Sequence, residues 1–313
     1  MKKFFVNIVC AFIPNDAVRR RTRKRLVGLR PADIVTAAIT DNACRITQQM
    51  DALQHSLNDL RDRPQSAPVC CAPDVRPWVN RIIEKKLSTA FMHQKTFLPF
   101  KAIHSGQDIV IVATGPSLND FQPIKNAVYI GVNNAFLYKK LKLDYIFAQD
   151  YEAVSKHIDL LDKYRSGKCI KFYGLTTEFG DGFRRVIPES HAIAACAHRY
   201  RTDWEDINGF SPDFAYDIST QSLGCFGSIV FPAIQFALWT NPRRIYLVGC
   251  DCNNLGHFDN SSSEDLSRLI QPWRKLKDFV SVYYPVTEII SVNPVGLKGM
   301  FADLYQKRSC ANE

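Results

Sequence analysis

Ile109-Val-Ile-Val-Ala-Thr-Gly-Pro-Ser-Leu118 decides the fold. Four β-branched residues in a row read as a buried strand. The run then stops at Thr114-Gly115-Pro116-Ser117. Gly115 frees the backbone to turn, and Pro116 suits the first turn of a helix because it has no N–H to satisfy. Thr114 and Ser117 add hydroxyls beside the unpaired amides of a helix start. Such a strand–turn–helix favours a bound anion, since orphan N–H groups and the helix dipole both attract negative charge. The alternative is a plain loop, because the run matches neither the P-loop nor the dinucleotide fingerprint.

Downstream, strands and helices alternate. Strands are expected at 108–113, 127–132, 144–148, 169–173, 244–248 and 288–292. Helices are expected at about 151–164, 227–238 and 263–280, with a helical connection at 135–142 and an irregular stretch at 176–215. This rhythm predicts an α/β, Rossmann-like, mainly parallel doubly wound sheet, preceded by a helical N-terminal segment. Thr114, Asn133, Asp150, Asp251 and Asn293 each fall just past the end of an expected strand. In an open α/β sheet those loops share one edge, where ligands bind. Each alone reads equally as a turn residue; their coincidence is the signal. Asn133 and Asn134 carry amides that donate and accept, as reading a base or ribose requires. Gly227 and Ser228 open the apolar run to Leu238 and offer a second helix start, with close helix–sheet packing as the alternative reading.

Length and composition fit about two domains, or one large α/β domain with appendages. The chain has 313 residues, 46% hydrophobic and 23% charged. The formal net charge is +9, yet residues 1–30 hold nine basic residues against the single Asp16, leaving about +1 for the remainder. The body is therefore no nucleic-acid binder. Residues 4–13 are apolar but too short to span a bilayer. With the arginines at 19–25 they read as a segment lying on an anionic membrane surface, or as a core helix with a solvated flank. Ile39, Ala43, Ile46, Met50, Leu53, Leu57 and Leu60 alternate spacings of four and three. That seam predicts a short coiled coil and a homo-oligomer through residues 39–60, or else a helix packed on its own domain. The expected organisation is a basic membrane-surface segment at 1–30, a coiled-coil helix at 31–63, a linker and helix at 64–100, and a catalytic domain at 101–313. Ten cysteines show no zinc spacing and read as reduced thiols. The expected location is cytoplasmic, peripheral on the inner face of the plasma membrane.

The order of these motifs resembles two related groups. The Gly115-Pro116-Ser117 turn, the Val132-Asn133-Asn134-Ala135 strand end, the Gly-Ser-opened helix, Gly249-Cys250-Asp251 and Asn293-Pro294 are similar to the bacterial sialyltransferases. They are similar also to the motility-associated flagellin glycosyltransferases, grouped with archaeal hydroxymethylpterin diphosphokinase-like proteins. The likeness covers about residues 105–300. It implies a GT-A-variant-like glycosyltransferase using a nucleotide-sugar donor, a CMP-activated nonulosonic acid in the finer reading, and a glycan or glycoconjugate acceptor. It implies nucleotide contacts from Gly115, Pro116, Ser117, Asn133, Gly249 and Asp251, with no metal and no cofactor beyond the donor substrate. The chain departs from the sialyltransferase pattern in having no His after His257 and no Tyr just after Asp251. His257 and Asp251 are then the candidate catalytic base residues, an imidazole suiting that role near neutral pH. Two alternatives stand beside this reading. One is an ATP- and Mg²⁺-dependent diphosphokinase with Asp150 and Asp251 as metal ligands. The other is a non-catalytic membrane-tethered coiled-coil scaffold.

Overall fold

The computed structural model describes residues 76–176, 186–203, 213–262 and 265–305. The expected membrane-surface segment, the coiled coil at 39–60 and the linker before residue 76 lie outside them.

Among the described residues nine strands form one sheet, and each pairing between them is parallel. In chain order they are β1 (Asp108–Val112), β2 (Val128–Val132), β3 (Tyr145–Ala148), β4 (Ile170–Thr176) and β5 (His198–Asp203). β6 (Leu223–Gly224), β7 (Arg244–Val248), β8 (Glu288–Ser291) and β9 (Ala302–Asp303) follow. The spatial order is β6-β5-β4-β3-β2-β1-β7-β8-β9. The chain therefore winds outward from β1 to β6, then returns to the other side of β1 and winds outward again. The direction reverses between β1 and β7, and a crevice opens there beyond the strand ends.

Helices cover both faces, which is why the central strands read as unbroken apolar runs. Side chains alternate along each strand. Ile109 and Ile111 join one core with Phe97 of α1 (Arg76–Phe97), Phe231 and Phe236 of α5 (Val230–Trp239), and Trp273 of α6 (Ile270–Tyr283). Val110 and Val112 join the other. Its partners are Val154 of α2 (Tyr151–Val154), Leu161 of α3 (Ile158–Lys163) and Ala192 of α4 (Glu189–Ala194). In the first core Phe147 stacks on Phe172 with ring centroids 4.6 Å apart, and Phe236 packs on Phe172 at 5.0 Å. Each buried ring contributes about 1.5–3 kcal/mol of transfer free energy. All ten residues of α5 are buried, consistent with its apolar sequence on every face. Gln235 is its polar exception, and its amide is fully bonded. Oε1 accepts from Ala215 and Gly224 N–H, while Nε2 donates to the carbonyls of Gly224 and Phe231.

Several elements differ from the sequence reading. The expected helix after Pro116 is a five-residue 3-10 turn, Pro116–Asp120, and the connection after β2 is another, Asn133–Leu137. The helix expected at 151–164 is broken at Ser155–His157 into α2 and α3. The stretch expected to be irregular contains α4 and β5. β5 escaped notice because His198-Arg-Tyr-Arg-Thr-Asp203 buries only Tyr200 and Thr202, one face of a polar strand. No helix among the described residues is long and apolar enough to cross a membrane.

Candidate functional site

At the β1/β7 reversal the two strand-end loops run back to back. Gly115 N–H donates to Gly249 O at 2.9 Å, and Ala113 N–H to Val248 O at 2.8 Å. A Cβ on Gly115 would sit 2.5 Å from Gly249 O, and one on Gly249 would sit 2.5 Å from Ala113 O. The glycine at 115 thus serves close approach rather than turning freedom, since its φ is an ordinary −64°. Gly249 needs both, with φ +68°.

Asp251 locks this junction. Its Oδ2 accepts the Ser117 N–H at 2.9 Å, and its Oδ1 accepts the Ser117 hydroxyl in a short bond. The amide expected to hold an anion is therefore already capped by the protein's own carboxylate, and Asp251 is 5% exposed. The Asp251 carbonyl also accepts from Gly296 N–H at 2.8 Å, which ties the β7 loop to the loop after β8.

A cavity of about 360 Å³ opens above this junction, within the size range of small-ligand sites. Four strand ends and the start of α5 contribute its walls. Thr114 and Gly115 come from β1, Asn133 from β2, Asp150 from β3, and Gly249 and Asp251 from β7. Gly227 and Ser228 lead into α5, and His257 closes the side formed by the long loop after β7. Pro116, Ser117, Asn134 and Asn293 do not line it. Ser117 stands behind Asp251, and Asn293 lines a small crevice beside Ser291. Asn134 instead donates from Nδ2 to Ala153 O at 2.7 Å.

His257 is placed from both sides. Its Nδ1 lies 3.0 Å from Thr114 Oγ1, and its N–H donates to Ser261 O at 2.9 Å. The next residue, Phe258, donates its N–H to Thr114 O at 2.8 Å and packs its ring edge-on against Tyr138. Asn119 Nδ2 donates to Phe258 O at 3.0 Å. The loop is thereby pinned to the β1 turn, with the imidazole half-buried at the cavity wall.

On the β2 side, Asn133 has φ +44°, a left-handed conformation that asparagine tolerates. Its Oδ1 is buried without a hydrogen-bond partner. Asp150 caps α2, accepting from Glu152 N–H at 3.0 Å. Three thiols line the walls. Burial pushes Cys225 up to about 12, Cys252 up to about 11, and Cys250 well above its ordinary value. None supplies a thiolate nucleophile near neutral pH.

Gln149, Asn253, Arg268 and Trp273 also line the cavity, and the sequence reading did not single them out. Gln149 and Asn253 sit beside residues it did single out, Asp150 and Asp251. Arg268 and Trp273 lead into and lie on α6, where nothing in their spacing marks them. The described cysteines are all free.

The described residues thus form an α/β fold with a cleft, walled by apolar and polar residues together, at the topological reversal of a parallel sheet. No family model matches the chain, and no curated protein does either. Solved structures do. The sialyltransferase CstII from Campylobacter jejuni, with the substrate analogue CMP-3FNeuAc, is 12% identical with a TM-score of 0.34, over 63% of this chain and 85% of that one. The sialyltransferase CST-II with a trisaccharide acceptor and CMP is 12% identical with a TM-score of 0.39, over 63% and 86%. The MAf glycosyltransferase from Magnetospirillum magneticum AMB-1 is 14% identical with a TM-score of 0.38, over 72% of this chain and 41% of that protein.

Proposed function

We propose that this chain is a glycosyltransferase that moves a sugar from a nucleotide donor to a glycan or glycoconjugate acceptor. The observation that carries the reading is the cavity at the β1/β7 reversal. There the Thr114–His257 pair and Asn133, whose Oδ1 has no hydrogen-bond partner, line one space. The motif resemblance supports the finer assignment of a CMP-activated nonulosonic acid as donor.

The chemistry follows from the residues present. An acceptor hydroxyl attacks the anomeric carbon, the bond from that carbon to the phosphate oxygen breaks, and its electron pair leaves with the nucleotide. The hydroxyl proton goes to His257. With Nδ1–H donating to Thr114 Oγ1, Nε2 carries the lone pair that takes the proton. Asp251 acts through position: with both oxygens on Ser117, it holds the β1 and β7 turns together under the donor. Donors around the start of α5 stabilise the departing phosphate.

The diphosphokinase alternative asks Asp150 and Asp251 to hold Mg²⁺. Both carboxylates already accept from backbone amides, and hard-cation sites want several free oxygens. The membrane-surface role of residues 1–30, the peripheral location that goes with it, and the oligomer through residues 39–60 belong to the same proposal.

The test is a thermal-shift panel of CMP, UDP, GDP and ATP with and without Mg²⁺. A ligand at a hundred times its Kd stabilises by about 2.7 kcal/mol. CMP is expected to raise the melting temperature without Mg²⁺. A shift with ATP only, dependent on Mg²⁺, overturns the glycosyltransferase reading in favour of the kinase. A shift with none favours the scaffold.

A further inference from the structure

Asn253 sits in the cavity wall with half of its amide unmatched. Its Oδ1 accepts the Leu255 N–H at 3.0 Å in an Asx turn. That bond fixes the amide's orientation, with oxygen toward Leu255 and nitrogen away. Nδ2 is buried and has no hydrogen-bond partner. An amide N–H left this way is unfavourable, and a bound acceptor would remove the penalty. On the same side of the cavity lies Arg268, whose guanidinium passes over Gly227. A Cβ at that glycine would fall 2.7 Å from Nη1. A guanidinium donates and never accepts, and the free half of the Asn253 amide does the same. Arg268 also feels the charge of the exposed Asp265 three residues before it, while Asp251 is turned to Ser117.

We propose that Asn253 and Arg268 form the corner of the cavity that reads an anionic group of the ligand, a phosphate or a sugar carboxylate. This rests on the nucleotide-sugar reading and adds the residues that set donor specificity. Asn253 comes from the loop after β7 and Arg268 from the lead into α6, so they approach the group from two directions. A guanidinium and an oriented amide together select an oxyanion over a neutral hydroxyl.

The test compares wild type with Asn253→Asp and Arg268→Gln by calorimetric titration of cytidine, CMP and a non-hydrolysable fluorinated CMP-nonulosonic acid. Asn253→Asp keeps the acceptor for Leu255 and replaces the unmatched donor with a negative oxygen. Cytidine affinity is expected to hold within twofold in both variants. If the corner reads the phosphate, CMP weakens at least tenfold. If it reads the carboxylate, CMP is unchanged and the sugar nucleotide alone weakens at least tenfold. Both variants binding all three ligands within twofold of wild type overturns the assignment. Wild type binding none of the three overturns the nucleotide reading itself. Should Asn253→Asp lower the melting temperature markedly, Arg268→Gln, at an exposed side chain, decides the matter alone.

Discussion

His93 makes the stability of this fold depend on pH, and the structure gives the size of the effect. The residue is on α1, fully buried, and bridges two distant segments. Its Nδ1–H donates to Ile218 O at 2.9 Å, and its Nε2 accepts the Arg201 N–H at 2.7 Å. Because a backbone N–H donates to Nε2, the ring must be neutral there. Burial lowers its pKa from 6.5 to about 4. A histidine with a depressed folded pKa supports the fold fully above the unfolded value. It loses that support as pH falls toward the folded value, because the unfolded chain takes up a proton that the folded one refuses. Each unit of difference is worth 1.36 kcal/mol, so about 3 kcal/mol is lost between pH 6.5 and 4. Burial depresses His104 and His198 in the same direction and steepens the loss. Urea unfolding of wild type and His93→Gln at pH 7.5 and 4.5 measures it. The variant is expected to be less stable at pH 7.5, having lost the ring that packs edge-on against Phe97 at 5.1 Å, but to lose much less between the two pH values. An equal loss in both proteins would mean that His93 is not the source of the pH dependence.

Three further outcomes follow from the site. Gly115→Ala puts a methyl against the Gly249 carbonyl and Asp251; a loss of about 1–3 kcal/mol is expected for such overpacking, read as a lower urea midpoint. Ser117→Ala removes one bond to Asp251, and Asp251→Asn weakens both. A double-mutant cycle should return a coupling of 0.5–3 kcal/mol, and strict additivity would deny the brace. His257→Ala is expected to lower turnover at saturating donor by about 10²–10⁴-fold while leaving nucleotide affinity near wild type; undiminished turnover removes His257 as the base.

The strands were legible because the central ones are buried on both faces. Ile109–Val112, Ile245–Val248 and Ile289–Ile290 show as apolar runs whose ends are easy to mark. Parallel order and the polar strand ends followed from the alternation with helices. The short turns were not legible. Pro116-Ser-Leu-Asn-Asp120 and Asn133-Asn-Ala-Phe-Leu137 have the composition of a first helical turn, although Pro123 disfavours extension of the first. β5 carries no apolar pattern because Tyr200 is the only hydrophobic residue in His198–Asp203. The Asp251–Ser117 lock joins residues 134 apart in sequence. Sequence reading saw both ends as ligand contacts, since nothing local says that a carboxylate will cap the amide opposite it. Arg268 and Trp273 reach the cavity through the path of α6, which is a tertiary fact.

On the proposed function, separate strand-end loops grip one nucleotide along a single rim, and hydrogen exchange with and without CMP reads this out loop by loop. Added protection is expected at residues 113–117, 132–134, 149–153, 225–230, 249–258 and 266–269, the loops that line the cavity, with the far edge of the sheet unchanged. Protection elsewhere, or none at a CMP concentration that shifts the melting temperature, would contradict it.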